Sequence, residues 1–138
     1  MIREDSLVNI SGELYREFGL AHDQKVLDAF GGGGVHYCGR GDHFIEYVSD
    51  LRGLYAVNLG QPECNDMGKI YTHTVDKGIQ LQLDFNTVER AIRSGRKLDG
   101  MVFCIDGYAP SETTNIGRRT KIGSDGRSGS FIKTETRE

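Results

Sequence analysis

The chain has 138 residues, three cysteines and a formal net charge of −3 at pH 7. This length fits one domain with a substantial core, and the slightly acidic balance argues against a nucleic-acid partner, which would need a basic patch. No apolar run approaches the roughly 20 residues that span a bilayer, and the N-terminus lacks the apolar segment of a signal peptide. We therefore expect a cytoplasmic protein without a membrane partner. The odd number of cysteines predicts reduced thiols and no disulfide framework.

Helical segments alternate with short apolar strands along the chain. Two helices broken at Gly19 are predicted first. Asp42 has the residue type of an N-cap for the next helix, and Asn86 with Glu89 has the pattern of a capping box. The predicted helices cover residues 11–18, 23–30, 42–51, 62–77 (or 66–77) and 86–94, and the predicted strands cover 35–38, 54–59, 79–83 and part of 98–105.

Strands separated by single helices indicate an α/β fold built from βαβ units with a parallel sheet. Two architectures fit this order, a small doubly wound sheet and part of a (β/α)8 barrel. A complete barrel takes about 250 residues, so this chain would hold about four βα units, roughly half of one. The apolar period is lost after residue 105. We therefore expect an α/β domain over residues 1–105 and an irregular tail over 106–138 that is disordered at least from 117.

The strongest chemical signal is the pair His36 and Cys38 at the end of the first long strand. Side chains two apart on a strand point the same way, and ligands of parallel α/β folds collect at the carboxyl ends of the strands. The pair is either two metal ligands or two ordinary pocket residues, since a buried cysteine packs as a small hydrophobe. Cys64 lies away from the strand ends and is expected to be an idle thiol. The glycines at 31–34 lack the pattern of a phosphate loop, so they predict a tight helix-to-strand turn with positive φ.

Polar side chains also follow the predicted strands. Arg40 could clamp a carboxylate or a phosphate, and amides at a helix N-terminus attract anions. The alternative is that these side chains only cap helices, bond within loops or face solvent. The same two interpretations apply to Glu63, which also follows the second predicted strand. The candidates for substrate contact are Asp5, Arg40, His43, Asn58 and Gln61.

Several segments, in order, carry a family resemblance. The chain contains Gly-Gly-Gly-Gly-Val-His-Tyr-Cys-Gly (31–39), Leu-Tyr-Ala-Val-Asn-Leu-Gly-Gln-Pro-Glu (54–63) and Asp-Lys-Gly-Ile-Gln-Leu (76–81). These segments resemble the C-terminal half of the uroporphyrinogen decarboxylase superfamily of (β/α)8 barrels. That superfamily includes the cofactor-free decarboxylase of porphyrin biosynthesis and zinc-dependent methyltransferases that move a methyl group between a corrinoid and a thiol. The resemblance covers roughly residues 3–105.

The resemblance implies a metal site. The zinc methyltransferases of the family use a His-x-Cys pair and a later cysteine, and His36 and Cys38 match the pair. The third ligand would be Cys104, at the end of the fourth predicted strand, or Asp106, which alignment of the stretch 106–110 places at the ligand position. Zinc would then hold an incoming thiol as the thiolate.

The resemblance leaves three functions open. The first is a domain of a zinc-thiolate methyltransferase that acts on a small-molecule, corrinoid or tetrapyrrole substrate. The second is part of a cofactor-free uroporphyrinogen decarboxylase, which needs no zinc. The third is a non-catalytic remnant or self-association module. The resemblance also implies that half of the barrel lies outside this chain, so we expect no turnover by the isolated chain and either homodimerisation through open strand edges or a poorly soluble molten species.

Overall fold

The computed structural model describes residues 1–104, 118–119 and 130–132. The fold is α/β, as predicted, and its sheet contains five parallel strands that lie side by side in chain order. The partial (β/α)8 barrel implied by the resemblance stays a prediction. The strands are β1 (Ile2–Arg3), β2 (Gly33–Tyr37), β3 (Leu54–Leu59), β4 (Gln80–Leu83), β5 (Val102–Cys104), β6 (Arg118–Arg119) and β7 (Ser130–Ile132). The α-helices are α1 (Gly12–Leu14), α2 (Leu20–Phe30), α3 (Ile45–Val48), α4 (Met67–His73) and α5 (Phe85–Arg93), and 3-10 turns cover Leu7–Asn9, Pro62–Cys64 and Val75–Lys77.

The chain forms two compact units, Met1–Leu81 and Gln82–Glu138, and their boundary falls within β4. The boundary predicted from the sequence lies later, after residue 105. Among the described residues, none of the helices is long and apolar enough to cross a membrane.

The first unit is organised around the parallel pairing of β1, β2 and β3. Ile2 lies opposite Val35 in the β1–β2 pair, and Tyr37 lies opposite Leu59 in the β2–β3 pair. Val35 and Tyr37 are fully buried, and burial of an aliphatic side chain such as Val35 contributes roughly 1.5–3 kcal/mol to stability. The intervening residue, His36, projects to the other face of the strand. The other fully buried large side chains of this unit are Tyr15, Phe44, Ile45, Val48, Val57, Ile70 and Leu81.

A helical segment runs without interruption from α1 to α2, so the predicted break at Gly19 is wrong. The two α-helices are joined by a π turn over Tyr15–Gly19. A Cβ on Gly19 would lie 2.6 Å from the Tyr15 ring, which is fully buried. Glycine at this position therefore makes room for an inward-pointing tyrosine and does not end the helix.

The turn into β2 has the predicted positive φ at the first two of its four glycines, whereas Gly33 and Gly34 already belong to β2. Gly31 ends α2 with φ of 70°, and Gly32 has φ of 110°. A Cβ on Gly32 would lie 2.3 Å from the ring of Tyr55. The left-handed backbone explains both Gly31 and Gly32, because residues with a Cβ rarely adopt such φ values. Close packing against Tyr55 is a second reason for glycine at position 32.

Two predicted helix caps are wrong. α3 begins after Phe44 and has no side-chain cap, while Asp42 accepts hydrogen bonds from Arg40 and from the amide of Asp66. Tertiary partners thus occupy the carboxylate that the sequence assigns to a cap. α5 is capped by Asp84, whose Oδ1 accepts from the Thr87 amide at 3.0 Å.

The second unit contains an amphipathic helix and short strands. Val88 and Ala91 of α5 are buried, as are Leu98 and Val102. β5 pairs antiparallel with β7, which pairs antiparallel with β6. β6 and β7 lie inside the segment 106–138, for which the sequence predicts no regular structure.

Candidate metal centre

Three side chains with metal-binding atoms meet at the carboxyl ends of β1 and β2. Asp5 follows β1 by two residues, His36 is in β2, and Cys38 is the first residue after β2. The register places Arg3 opposite His36, which brings the two strand ends together. The parallel pairing of β1 with β2 therefore joins residues more than 30 positions apart.

The donor atoms of this Asp5–His36–Cys38 cluster face one another. One Asp5 carboxylate oxygen, one His36 ring nitrogen and the Cys38 Sγ all lie within 4.8 Å of each other. His36 Nε2 is 3.4 Å from Cys38 Sγ and 3.6 Å from Asp5 Oδ1. The His36 side chain is 14% exposed and that of Asp5 is 46% exposed, so the cluster is accessible from the Asp5 side.

The orientation of His36 is set by a residue of the neighbouring strand. Asn58 of β3 lies directly opposite His36, and the His36 Nδ1–H donates to the Asn58 Oδ1. A proton on Nδ1 leaves the lone pair on Nε2, the atom that faces Cys38 and Asp5. Metal-binding histidines commonly have their second ring nitrogen fixed in this way.

The position of Cys38 depends on a glycine and a carboxylate. A Cβ on Gly60 would lie 2.4 Å from Cys38 Sγ, so only glycine leaves the thiol in this place. The Cys38 amide donates to Asp5 Oδ1 at 2.9 Å. The same carboxylate thus holds the backbone of the strand end and faces the two side-chain donors.

The donor set fits zinc. Tetrahedral zinc with ordinary bond lengths separates a sulfur from a nitrogen ligand by about 3.6 Å and a nitrogen from an oxygen ligand by about 3.4 Å. The observed 3.4 Å and 3.6 Å are close to these separations. Imidazole, thiolate and carboxylate are all zinc ligands, and three protein ligands leave a fourth position open.

The sequence-predicted residues divide into those in the cluster and those elsewhere. Asp5 and Asn58, expected as substrate contacts, instead lie at the donor cluster. The side chain of Cys104 and all of Asp106 lie outside the described residues, so the third ligand implied by the resemblance stays a prediction. Cys64 is exposed, and the cluster contains no atom from it.

The other predicted substrate contacts have partners within the fold or face solvent. Arg40 is exposed, and its Nε donates to Asp42 Oδ1 at 2.8 Å. Burial opposes the charge on Asp42, but the bonds from Arg40 and the Asp66 amide outweigh it and lower the pKa of Asp42. His43 donates from Nε2 to the Ile10 carbonyl at 2.8 Å. Gln61 is exposed in the loop after β3.

Sequence reasoning missed the residue that ties together the loops after β2 and β3. Asn65 accepts from the Gly41 amide at 2.7 Å and donates to the carbonyls of Gly39 and Gln61. These bonds fix the loop that follows Cys38. No local pattern marks this role, because it depends on loops that are distant in sequence.

Sequence reasoning also missed an acidic pair beside the cluster. The Glu4 carboxyl lies close to the carboxylate of Asp23, whose Oδ2 accepts from the Tyr15 hydroxyl at 2.7 Å. Burial and the nearby Asp23 carboxylate raise the pKa of Glu4 to about 7. Burial and the bond to Asp23 also raise the pKa of Tyr15. The available signal is the spacing, since Asp23 shares the inward face of the helix with Tyr15 and Leu27.

No protein-family model, curated protein or solved structure matches the chain.

Proposed function

We propose that this chain binds zinc through Asp5, His36 and Cys38 and serves in thiol methylation, as a uroporphyrinogen decarboxylase-like domain of the zinc-methyltransferase type. The supporting observation is the convergence of three different donor atoms at the ends of β1 and β2. Asp5 completes the set within the described part of the chain. Zinc bound here would stabilise an incoming thiol as its thiolate.

The chain's own residues would prepare the site before any ligand arrives. Asn58 fixes the His36 ring and its tautomer, Gly60 leaves space for the Cys38 sulfur, and Asp5 holds the strand end through the Cys38 amide. The exposed side of Asp5 provides access for a thiol. The acceptor would be a small thiol and the methyl donor a corrinoid.

The first experiment measures zinc in the purified, reduced protein. We expect about one zinc per chain in the wild type and little in His36→Ala or Cys38→Ser. Cys64→Ser is the matched control, because it also removes a thiol, but an exposed one outside the cluster. Wild-type protein without zinc, or variants that retain it, would contradict the proposal and favour the cofactor-free decarboxylase.

The second experiment tests the thiol. The zinc is replaced by cobalt(II), and a small alkyl thiol is titrated while the near-ultraviolet and visible spectrum is recorded. A sulfur-to-cobalt charge-transfer band that strengthens during the titration would report an open coordination position that accepts a thiolate. The control is the double variant His36→Ala, Cys64→Ser, in which this increase should be absent. An unchanged spectrum at saturating thiol would leave a structural metal site and contradict methyl transfer. Cys104→Ser and Asp106→Ala would then show whether either residue occupies the fourth position.

A further inference from the structure

The outer face of the long helical segment is unusually apolar. Leu14, Phe18, Val26 and Phe30 are 45%, 62%, 42% and 82% exposed. They account for four of the seven exposed large hydrophobic side chains in the described part of the chain. Together with His22 they follow one another at intervals of four residues, so they form a single ridge along the helix.

A second exposed ridge runs beside the first. It contains Glu17, Ala21, Lys25 and Ala29, also four residues apart. The two alanines leave a shallow groove next to the large apolar side chains. Ridges of residues four apart that pack into such grooves give the commonest helix–helix contact in globular proteins, with the axes crossing at about −50°.

The order of residues on these ridges is self-complementary. An antiparallel second copy centred on His22 places Leu14 opposite Phe30 and Phe18 opposite Val26. Each pair then occurs twice, as a twofold interface requires. Ala21 lies beside the crossing point, where a small side chain lets the two backbones approach closely.

The charges match the same arrangement. In the antiparallel register, Glu17 lies near Lys25 of the second copy, and the reciprocal pair forms across the twofold axis. Neither Glu17 nor Lys25 has an ion-pair partner within 4 Å among the described residues. A parallel arrangement of the two helices would instead bring like residues together.

We propose that this helix face, Leu14, Phe18, His22, Val26 and Phe30 with the flanking Glu17 and Lys25, binds a second copy of the chain as an antiparallel helix pair. This surface differs from the strand edges through which the sequence alone predicts association. The proposal does not depend on zinc, so its test is performed with a chelator present.

Sedimentation equilibrium over a wide concentration range tests the proposal. We expect a reversible monomer–dimer equilibrium, with the dimer dissociation constant raised at least about tenfold in Phe18→Glu, because each substitution acts twice across the interface. Tyr55→Glu is the matched control, since Tyr55 is also an aromatic residue and is 63% exposed but lies outside this helix. Phe30→Glu provides a second disruption if Phe18→Glu fails to fold by circular dichroism.

Charge reversal tests the register. Glu17→Lys and Lys25→Glu should each weaken the dimer, whereas the double variant should regain the wild-type dissociation constant because both opposite-charge pairs are restored. A wild-type chain that stays monomeric up to hundreds of micromolar would overturn the proposal. A dimer unaffected by Phe18→Glu and Phe30→Glu would overturn it equally, and a double variant weaker than both single variants would exclude the antiparallel register.

Discussion

Two polar clusters of the first unit each contain a histidine, and they differ in where their lone pairs point. Near α3 and α4, the Ser49 hydroxyl donates to the Glu46 carbonyl and accepts from Lys77 Nζ, which also donates to Asp50. His73 Nδ1 lies 3.5 Å from the same hydroxyl. Donors and acceptors in this Ser49–His73–Lys77 cluster alternate, so it stabilises the packing of the fold.

In the Asp5–His36–Cys38 cluster, atoms that bind metals face one another. The hydrogen-bond donors of this cluster, His36 Nδ1–H and the Cys38 amide, point to Asn58 and Asp5. His36 Nε2 then presents a lone pair toward the Cys38 sulfur and the Asp5 carboxylate. The direction of the lone pairs, together with the presence of a thiol and, among the described residues, the absence of a lysine, distinguishes the candidate metal centre from the structural network.

The largest expected effect is a loss of zinc affinity, and it is tested by replacing one aspartate in each of the two clusters. Asp5→Ala should lower zinc affinity by more than the roughly 10–100-fold that loss of an outer partner costs, because it removes a donor atom itself. Asp50→Ala, in the Ser49–His73–Lys77 cluster, should leave zinc affinity unchanged. Competition with a chromophoric chelator measures both constants. Equal affinity of the two variants would remove Asp5 from the metal site.

A second substitution acts through space alone. Gly60→Ala should lower zinc affinity by roughly 10–100-fold, because the added methyl group would meet Cys38 Sγ at 2.4 Å and displace it. Gly68→Ala is the control, since its added Cβ would lie no closer than 3.2 Å to the Asp66 side chain. Calorimetric zinc titration of both variants would measure the difference, and unchanged zinc binding by Gly60→Ala would mean that the sulfur is not a ligand.

A smaller effect is expected at the residue that orients His36. Asn58→Ala should cost about tenfold in zinc affinity, because the imidazole would lose the acceptor that holds its proton on Nδ1. Asn58→Asp retains an acceptor oxygen and should restore most of the affinity. The same zinc titration reports both variants. If Asn58→Asp binds zinc no better than Asn58→Ala, packing alone explains the effect.

The smallest effect concerns the acidic pair next to the cluster in metal-free protein. The folded-state pKa of Glu4, about 7, lies above the ordinary value of 4.5, so the folded state holds this proton more tightly than the unfolded state. Stability should therefore fall modestly as the pH rises from about 4.5 to about 7 and then level off. Glu4→Gln, which cannot ionise, should weaken this dependence. Urea unfolding midpoints at pH 5 and pH 7.5 measure it, and equal pH dependence in both proteins would contradict the assignment.

Much of the fold follows from local patterns in the sequence. The apolar run of β3 is found at the predicted residues, Leu54–Leu59, and β2 ends close to the predicted place. That His36 and Cys38 share a face follows from the alternation of side chains along a strand. The positive φ at Gly31 also follows from its place after a helix.

Other features depend on partners that no local pattern reveals. Gly19 continues a helix because the Tyr15 ring lies over it, and Asp42 leaves its predicted cap because Arg40 and Asp66 bind it. The roles of Asp5 and Asn58 depend on which strands lie beside β2 and in what register. The sequence by itself determined the approximate positions of β2 to β5 and of most helices, and which way the strand side chains point, because these follow from backbone period and local sterics. Only the tertiary structure decided which of those side chains meet, because strand order and register are set by packing over the whole first unit.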